Sequence, residues 1–268
     1  MSPPPSKPAW QLPPGVTRGS LDYIESPEIA EGYDQDLADG VDLQFDEETI
    51  QQYLPVTGLV ADLGCGTGRA LLPLVRRGNR GLAVDLSPEM LRIVAEKAQR
   101  ENLTLDYLQT NLVELDAIGD ASVDHAICMF STLGMIKGAA YRQEFLDHVW
   151  RILKPGGRFV VHVHNFWFNL FEPDGAWWIA QHLVRARFTR GMERGDKYYQ
   201  YRGIPNFFLH VFSRREFART LRQSGFQIER MIPLRMDRQG ELPHAWWLGG
   251  VRASGWIALC EKPREEDF

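Results

Sequence analysis

The sequence predicts an α/β fold, a doubly wound and mostly parallel sheet with helices on both faces. Three observations carry this expectation. Leu59-Val60-Ala61-Asp62-Leu63 is an apolar run that turns through Gly64-Cys65-Gly66-Thr67-Gly68 into the helix-forming Ala70-Leu71-Leu72. Further apolar runs follow at Gly81–Val84 and Val123–Phe130, the second continuous rather than alternating, as a central strand buried on both faces is, and Arg158–His164 reads as a fifth strand. Helical stretches separate them, and such alternation demands parallel crossovers.

The elements follow in order. Residues 1–18 open with Met1-Ser2-Pro3-Pro4-Pro5-Ser6-Lys7-Pro8 and read as a disordered, proline-rich tail with no apolar signal-peptide core. Residues 19–45 are acidic and turn-rich, with Tyr23, Tyr33 and Asp34 as landmarks. A main domain is expected over 46–268. Asp46 to Leu54 fits a short helix stopped by Pro55, and the first strand and glycine turn come next. Arg69–Arg77 is expected to be a helix ending at Gly78. Ser87 is an N-cap with Pro88 at the first helical position, and Met90, Leu91, Val94 and Ala98 form one apolar stripe. Thr104–Gln109 is a third strand, Tyr141–Leu153 a helix ended by Lys154-Pro155-Gly156-Gly157, and Arg158–His164 the fifth strand. Residues 166–212 hold 13 of the chain's 30 aromatic residues, too many for a connection, and that length has no place in an ordinary loop. The segment reads as an insertion covering the acceptor pocket; a small satellite core packed on the sheet edge is the alternative, and the two are compatible. Ser213-Arg214-Arg215-Glu216 is a capping box before the helix to Gln223, and Phe226–Ile232 and Trp256–Cys260 are the last strands.

The glycine turn aims helix N-terminal amides at a ligand's negative end, and glycine permits both close approach and positive φ. Its G-x-G-x-G spacing differs from the dinucleotide pattern G-x-G-x-x-G. Asp85, seventeen residues past Gly68, ends the second apolar run, where an acidic side chain accepts from ribose hydroxyls. D-L-G-C-G-T-G, A-V-D-L-S-P-E-M-L and L-K-P-G-G-R-F, in that order, resemble the class I S-adenosylmethionine-dependent methyltransferases over roughly Gln51 to Asn165. The resemblance implies a seven-stranded Rossmann-like sheet whose last two strands pair antiparallel, S-adenosylmethionine as cofactor, and an N-terminal lid at 19–45. It assigns Asp62, Gly64, Cys65, Gly66 and Gly68 to the cofactor's methionine end, and Asp85, Leu86 and Met90 to the ribose. Asn111 and Leu112 fall at the adenine, and Phe130 beside the methyl group. Asn111 stands where relatives commonly carry an Asp, so it keeps a carbonyl acceptor and loses the charge.

Methyl transfer needs alignment and desolvation, and a base only if the acceptor must lose a proton. No metal-ligand spacing or nucleophile triad is visible in the sequence, and no metal is expected. His162 and His164 share one face of the fifth strand. His164, nearer its C-terminal end, is the candidate general base, set against a histidine that merely bonds to backbone. Substrate contacts are expected from Tyr33, Thr132, His164, Asn165, Trp177 and Tyr198. The cysteines Cys65, Cys128 and Cys260 sit singly, which points to a reducing, cytoplasmic setting.

The net charge of −5 divides into −12 over residues 1–150 and +7 over 151–268. Solvated arginine-rich faces account for the basic half more simply than a nucleic-acid partner. With no run of about 18 apolar residues, no membrane partner is expected. The expected function is methyl transfer to a small-molecule acceptor by a monomer or homodimer. An RNA methyltransferase and a cofactor-binding module without turnover are the alternatives, with a nicotinamide-dependent dehydrogenase more distant.

Overall fold

A computed structural model describes residues 11–38 and 44–264, with side chains placed for 11–33 and 44–264. Residues 1–10 of the expected tail, 39–43 of the expected lid and the Asp34 side chain lie outside the described residues. Seven strands form one sheet: β1 (Leu59–Leu63), β2 (Arg80–Asp85), β3 (Leu105–Gln109), β4 (Val123–Cys128), β5 (Leu153–His164), β8 (Gln227–Pro233) and β9 (Gly255–Glu261). Their order is β3-β2-β1-β4-β5-β9-β8. The first five pair in parallel, and β9 runs antiparallel between β5 and the edge strand β8. Strand order therefore reverses between β1 and β4, the crevice where such sheets bind ligands.

Burial explains the order. Val60, Ala61, Ala126, Ile127, Val160 and Val161 are fully buried, so β1, β4 and β5 form the sheet's centre. One apolar layer joins Phe145, Val149, Phe159, Phe217 and Trp256; the other joins Ile50, Leu71, Val94, Ile127 and Ile257. Helices α3 (Gln44–Tyr53), α4 (Leu71–Arg76), α5 (Pro88–Arg100), α7 (Ala139–Ile152) and α9 (Arg214–Gln223) supply much of these layers. Ser87 caps α5 by accepting from the Met90 amide, and Ser213 with Glu216 completes the capping box of α9.

Three boundaries differ from expectation. β4 stops at Cys128, because Phe130 and Ser131 take left-handed φ of 54° and 64° and lead into α6 (Thr132–Met135). Lys154 to Gly157 does not close a helix. It bulges within β5, between the pairs Val123↔Leu153 and His125↔Arg158. Residues 11–18 are no loose tail: Asn111 donates to the Pro14 carbonyl at 2.9 Å, and the Lys137 amide to Gly15 at 2.8 Å. These partners are nearly a hundred residues or more away, so no local pattern announces the docking.

A cap covers the sheet's C-terminal edge. It joins α1 (Arg18–Ile24) and α2 (Pro27–Ala38) to a hairpin of β6 (Asp196–Tyr201) and β7 (Ile204–His210). A Cβ on Gly19 would stand 2.4 Å from the Asn206 carbonyl oxygen, which is how closely α1 lies on the hairpin. Between β5 and the hairpin come a 3₁₀ helix (Phe166–Phe171) and α8 (Gly175–Phe188). Phe166, Ile179, Leu209 and Val211 form a satellite core there, so the aromatic segment both covers the pocket edge and packs a core of its own.

Fully buried His210 ties this cap to the sheet layer. Its Nδ1 lies 2.9 Å from Asp196 of the hairpin, and its Nε2 lies 2.8 Å from Glu216 of α9. Arg142 of α7 reaches the same ring at 3.4 Å and pairs with Glu193. Glu193, Asp196 and His210 bring three ligand-type atoms within 4.8 Å of one another, and the guanidinium supplies the positive charge among them. Burial opposes the charged ring, but the hydrogen bonds to Asp196 and Glu216 outweigh it and raise its pKa. The stabilisation is thus complete below the unfolded value of about 6.5 and is lost as pH rises through the raised folded value. His210→Asn is expected to cost roughly 3–5 kcal/mol at pH 6 by stranding the buried Asp196 carboxylate. The melting gap between parent and variant should narrow from pH 6 to pH 9; a constant or widening gap would show that the ring is neutral.

Candidate functional site

β1 and β2 deliver the glycine turn and Asp85 to the same point. The amides of Gly64 and Cys65 donate to the Val84 carbonyl at 2.8 and 3.0 Å, which stitches the turn to the end of β2. Asp85 completes the clamp. One carboxylate oxygen accepts from the Gly66 amide at 2.8 Å and the other from the Ser87 amide at 2.9 Å. A carboxylate offers about four lone-pair sites, so acceptor capacity remains for a ligand. Burial raises the Asp85 pKa, while the Ser87, Gly66 and Leu86 amides pull it back.

Above this clamp lies a cavity of about 230 Å³. Gly64, Cys65, Gly66, Asp85, Leu86, Met90, Asn111, Leu112 and Phe130 all line it, as do Tyr33, Thr132 and His164. A Cβ on Gly66, at φ +50°, would meet only the Tyr33 ring, 3.8 Å away. The glycine thus keeps open the space above the turn. Gly68 serves otherwise: its Cβ would press Val94 at 3.0 Å, so it lets α5 pack closely, and it does not line the cavity. Asp62 sits beneath the cavity wall, its pKa pushed up to about 8 by burial and then by the Asp85 charge.

The cavity's far side is aromatic. Tyr23, Tyr33, Tyr199, Tyr201 and Phe207 line it, with ring centroids 5.3 Å apart for Tyr23–Phe207 and 4.9 Å for Tyr201–Phe207. Burial drives the Tyr33 hydroxyl up to about 12 and the Tyr23 hydroxyl well above its ordinary value, so both stay neutral. Three expected substrate contacts fall outside the cavity. Asn165 is a buried cap that donates to the Gly250 and Ala253 carbonyls. Trp177 points to solvent from α8, 67% exposed. Tyr198 lies on the outer face of the hairpin and its neighbours Tyr199 and Tyr201 on the inner one, since strand side chains alternate. The N-terminal wall of Pro14, Gly15 and Val16 carries no sequence signal at all.

His164 reaches the cavity from β5, beside Thr132. Burial, then the charges of Arg238 and Lys197, push its pKa down to about 3. His162, fully buried below it, has no hydrogen-bond partner for either ring nitrogen among the described residues. Its pKa is also well lowered, chiefly by burial.

A family model described as a methyltransferase domain matches residues 61–161, the stretch holding the glycine turn, Asp85, the C-terminal ends of β1 to β4 and most of β5. Residues 61–161 thus carry a methyltransferase domain of the S-adenosylmethionine-dependent kind. A Geobacillus sp. (strain WCH70) protein with a methyltransferase name is 32% identical over 107 residues, 40% of this chain and 42% of that one. A ubiquinone biosynthesis O-methyltransferase of Xylella fastidiosa is 30% identical over 117 residues, 43% of this chain and 46% of its own. The chain thus spans under half the length of these curated relatives. The fold is similar to that of a SAM-dependent methyltransferase from Methanosarcina mazei, with a TM-score of 0.65, 21% identity and coverage of 81% and 98% of the two chains.

The site fits the methyltransferase domain's cofactor, S-adenosylmethionine. Room over Gly66, spare acceptor sites on Asp85 and an apolar flank at Leu86 and Met90 are what a ribose with its attached base requires. Asn111 donates to Pro14 and accepts weakly from the Val113 amide at 3.4 Å, so it braces the wall at that end. Asp85→Ala should weaken S-adenosylhomocysteine binding by about 1.5–3 kcal/mol, the worth of charge-assisted hydrogen bonds. Titration calorimetry giving parental affinity would remove Asp85 from the site.

Proposed function

We propose that the chain transfers a methyl group from S-adenosylmethionine to a small, flat, largely apolar acceptor. One observation carries the reading: a single cavity joins the Gly64–Asp85 cradle to an aromatic wall of Tyr23, Tyr33, Tyr199, Tyr201 and Phe207. The cradle would hold the cofactor and the wall the acceptor. The relative named for ubiquinone biosynthesis supports a small acceptor. Three buried free thiols, Cys65, Cys128 and Cys260, fit a cytoplasmic setting.

Bound S-adenosylmethionine supplies a methyl group on a positively charged sulfur, already activated for displacement. The chain's own residues align and exclude water. Thr132 separates the two halves; its methyl would stand 2.4 Å from a Cβ on Gly64, and its hydroxyl donates to the Met129 carbonyl. Phe130, held at positive φ, lines the cavity at the turn after β4. Tyrosine hydroxyls kept neutral by burial offer hydrogen bonds without adding charge. His164 is the candidate base, but with its pKa pushed down to about 3, chiefly by burial, its imidazole is a weak one. It serves better as a neutral hydrogen-bonding group that orients the acceptor.

His164→Asn should therefore lower turnover by less than the roughly 10²–10⁴-fold expected of a lost general base. The pH–rate profile from pH 5 to 8 should keep the parent's shape, since His164 stays neutral throughout. A larger loss, together with disappearance of a limb near pH 6.5, would restore the base. The overall reading is tested by incubating the protein with methyl-labelled cofactor and a small-molecule extract, beside bulk RNA. Label should enter the low-mass fraction; label in RNA would favour the RNA alternative, and cofactor binding with no transfer would leave a binding module.

A further inference from the structure

Helix α8 contributes no residue to the cavity, yet it carries an apolar ridge turned to solvent. Gly175, Ile179 and His182 face the satellite core and are buried. At about 100° per residue, Trp177, Val184 and Phe188 fall together on the opposite face. They are 67%, 59% and 81% exposed. Arg185 and Arg187 flank the ridge roughly 80° to either side, both exposed, and Arg190 follows just past its end. No Asp or Glu occurs from residue 175 to residue 192. Phe171, 54% exposed, extends the apolar surface from the 3₁₀ helix packed against the start of α8.

We propose that α8 seats the protein peripherally on an anionic lipid surface, with Trp177, Val184 and Phe188 entering the interface and the arginines meeting the headgroups. Charge complementarity selects this occupant. A second copy docked through the same ridge would bring two sets of Arg185, Arg187 and Arg190 to one interface, with no acid between residues 175 and 192 to pair them. A lipid headgroup layer supplies the negative charge on both flanks at once, and arginine stems reach it from beside an inserted apolar ridge. α8 has 14 residues, against about 20 needed to span a bilayer. It would lie in the surface plane, which is attachment without a membrane-spanning segment. The basic excess of residues 151–268 then has a use beyond solvation.

Flotation of the full chain with vesicles tests this. Phosphatidylcholine vesicles containing phosphatidylglycerol should bind roughly tenfold more tightly than phosphatidylcholine alone, from the pull of basic residues on an anionic surface. High salt should erase the difference. Val184→Ser with Phe188→Ser should abolish flotation and leave S-adenosylhomocysteine affinity unchanged, which also reports that the variant is folded. Arg185→Glu with Arg187→Glu should remove the preference for phosphatidylglycerol. Equal binding to both vesicle types, or binding to neither, would overturn the proposal. So would sedimentation showing that the apolar double variant turns a dimer into a monomer, because the ridge would then be a protein interface.

Discussion

The Asp85 carboxylate is the joint on which the site depends. It accepts from Gly66 and from Ser87, so one side chain fixes both the glycine turn after β1 and the start of α5 after β2. These segments are otherwise joined by the bonds from Gly64 and Cys65 to Val84. The Ser87 hydroxyl in turn donates to the Ile24 carbonyl at 2.8 Å, which carries the same connection outward to the end of α1. Cradle, α5 and the first helix of the cap are therefore set by one short chain of hydrogen bonds. A buried carboxylate is costly unless its lone pairs are used, and here the Gly66, Ser87 and Leu86 amides use part of them while leaving capacity toward the cavity.

The cap is held by different physics. Its hairpin is pinned through a buried charge cluster on His210 and through aromatic contacts around Phe207, and its first helix by close backbone packing at Gly19. Charge clusters of this kind weigh desolvation against pairing, whereas the sheet beneath rests on apolar burial. The two halves of the cavity can therefore respond to pH through different groups: the cap through His210, and the cradle through Asp62 beneath it, whose carboxyl is pushed up to about 8. His164 stays neutral over the neutral range, so acceptor alignment does not change with its ionisation.

Much of this was legible in the sequence, because local rules govern it. The glycine turn, Asp85, the Ser87 cap, the Ser213–Glu216 capping box and the central strands all announce themselves through spacing, propensity or continuous apolar runs. The cap was less legible. Aromatic density marked 166–212 as special, but Tyr199 and Tyr201 line the cavity while Tyr198 does not, and the choice of face depends on how the hairpin docks. Trp177 belongs to a helix whose inward face is set by Ile179 and His182. Pro14 to Val16 looked like tail because their partners, Asn111 and Lys137, are about a hundred residues or more distant. A place near the end of a strand is enough to nominate His164 as a base; how far its pKa falls depends on complete burial and then on the charges of Arg238 and Lys197, which no local pattern gives.

The central claim is that Asp85 holds the cradle in place before any cofactor arrives. Amide hydrogen exchange at Gly66 and Ser87, measured by NMR on the protein without cofactor, tests it most directly. The account predicts slow exchange at both amides from the outset, and fast exchange at both in Asp85→Ala. Exchange at open-loop rates in the parent, slowing only when S-adenosylhomocysteine is added, would contradict it and make the cradle a product of binding.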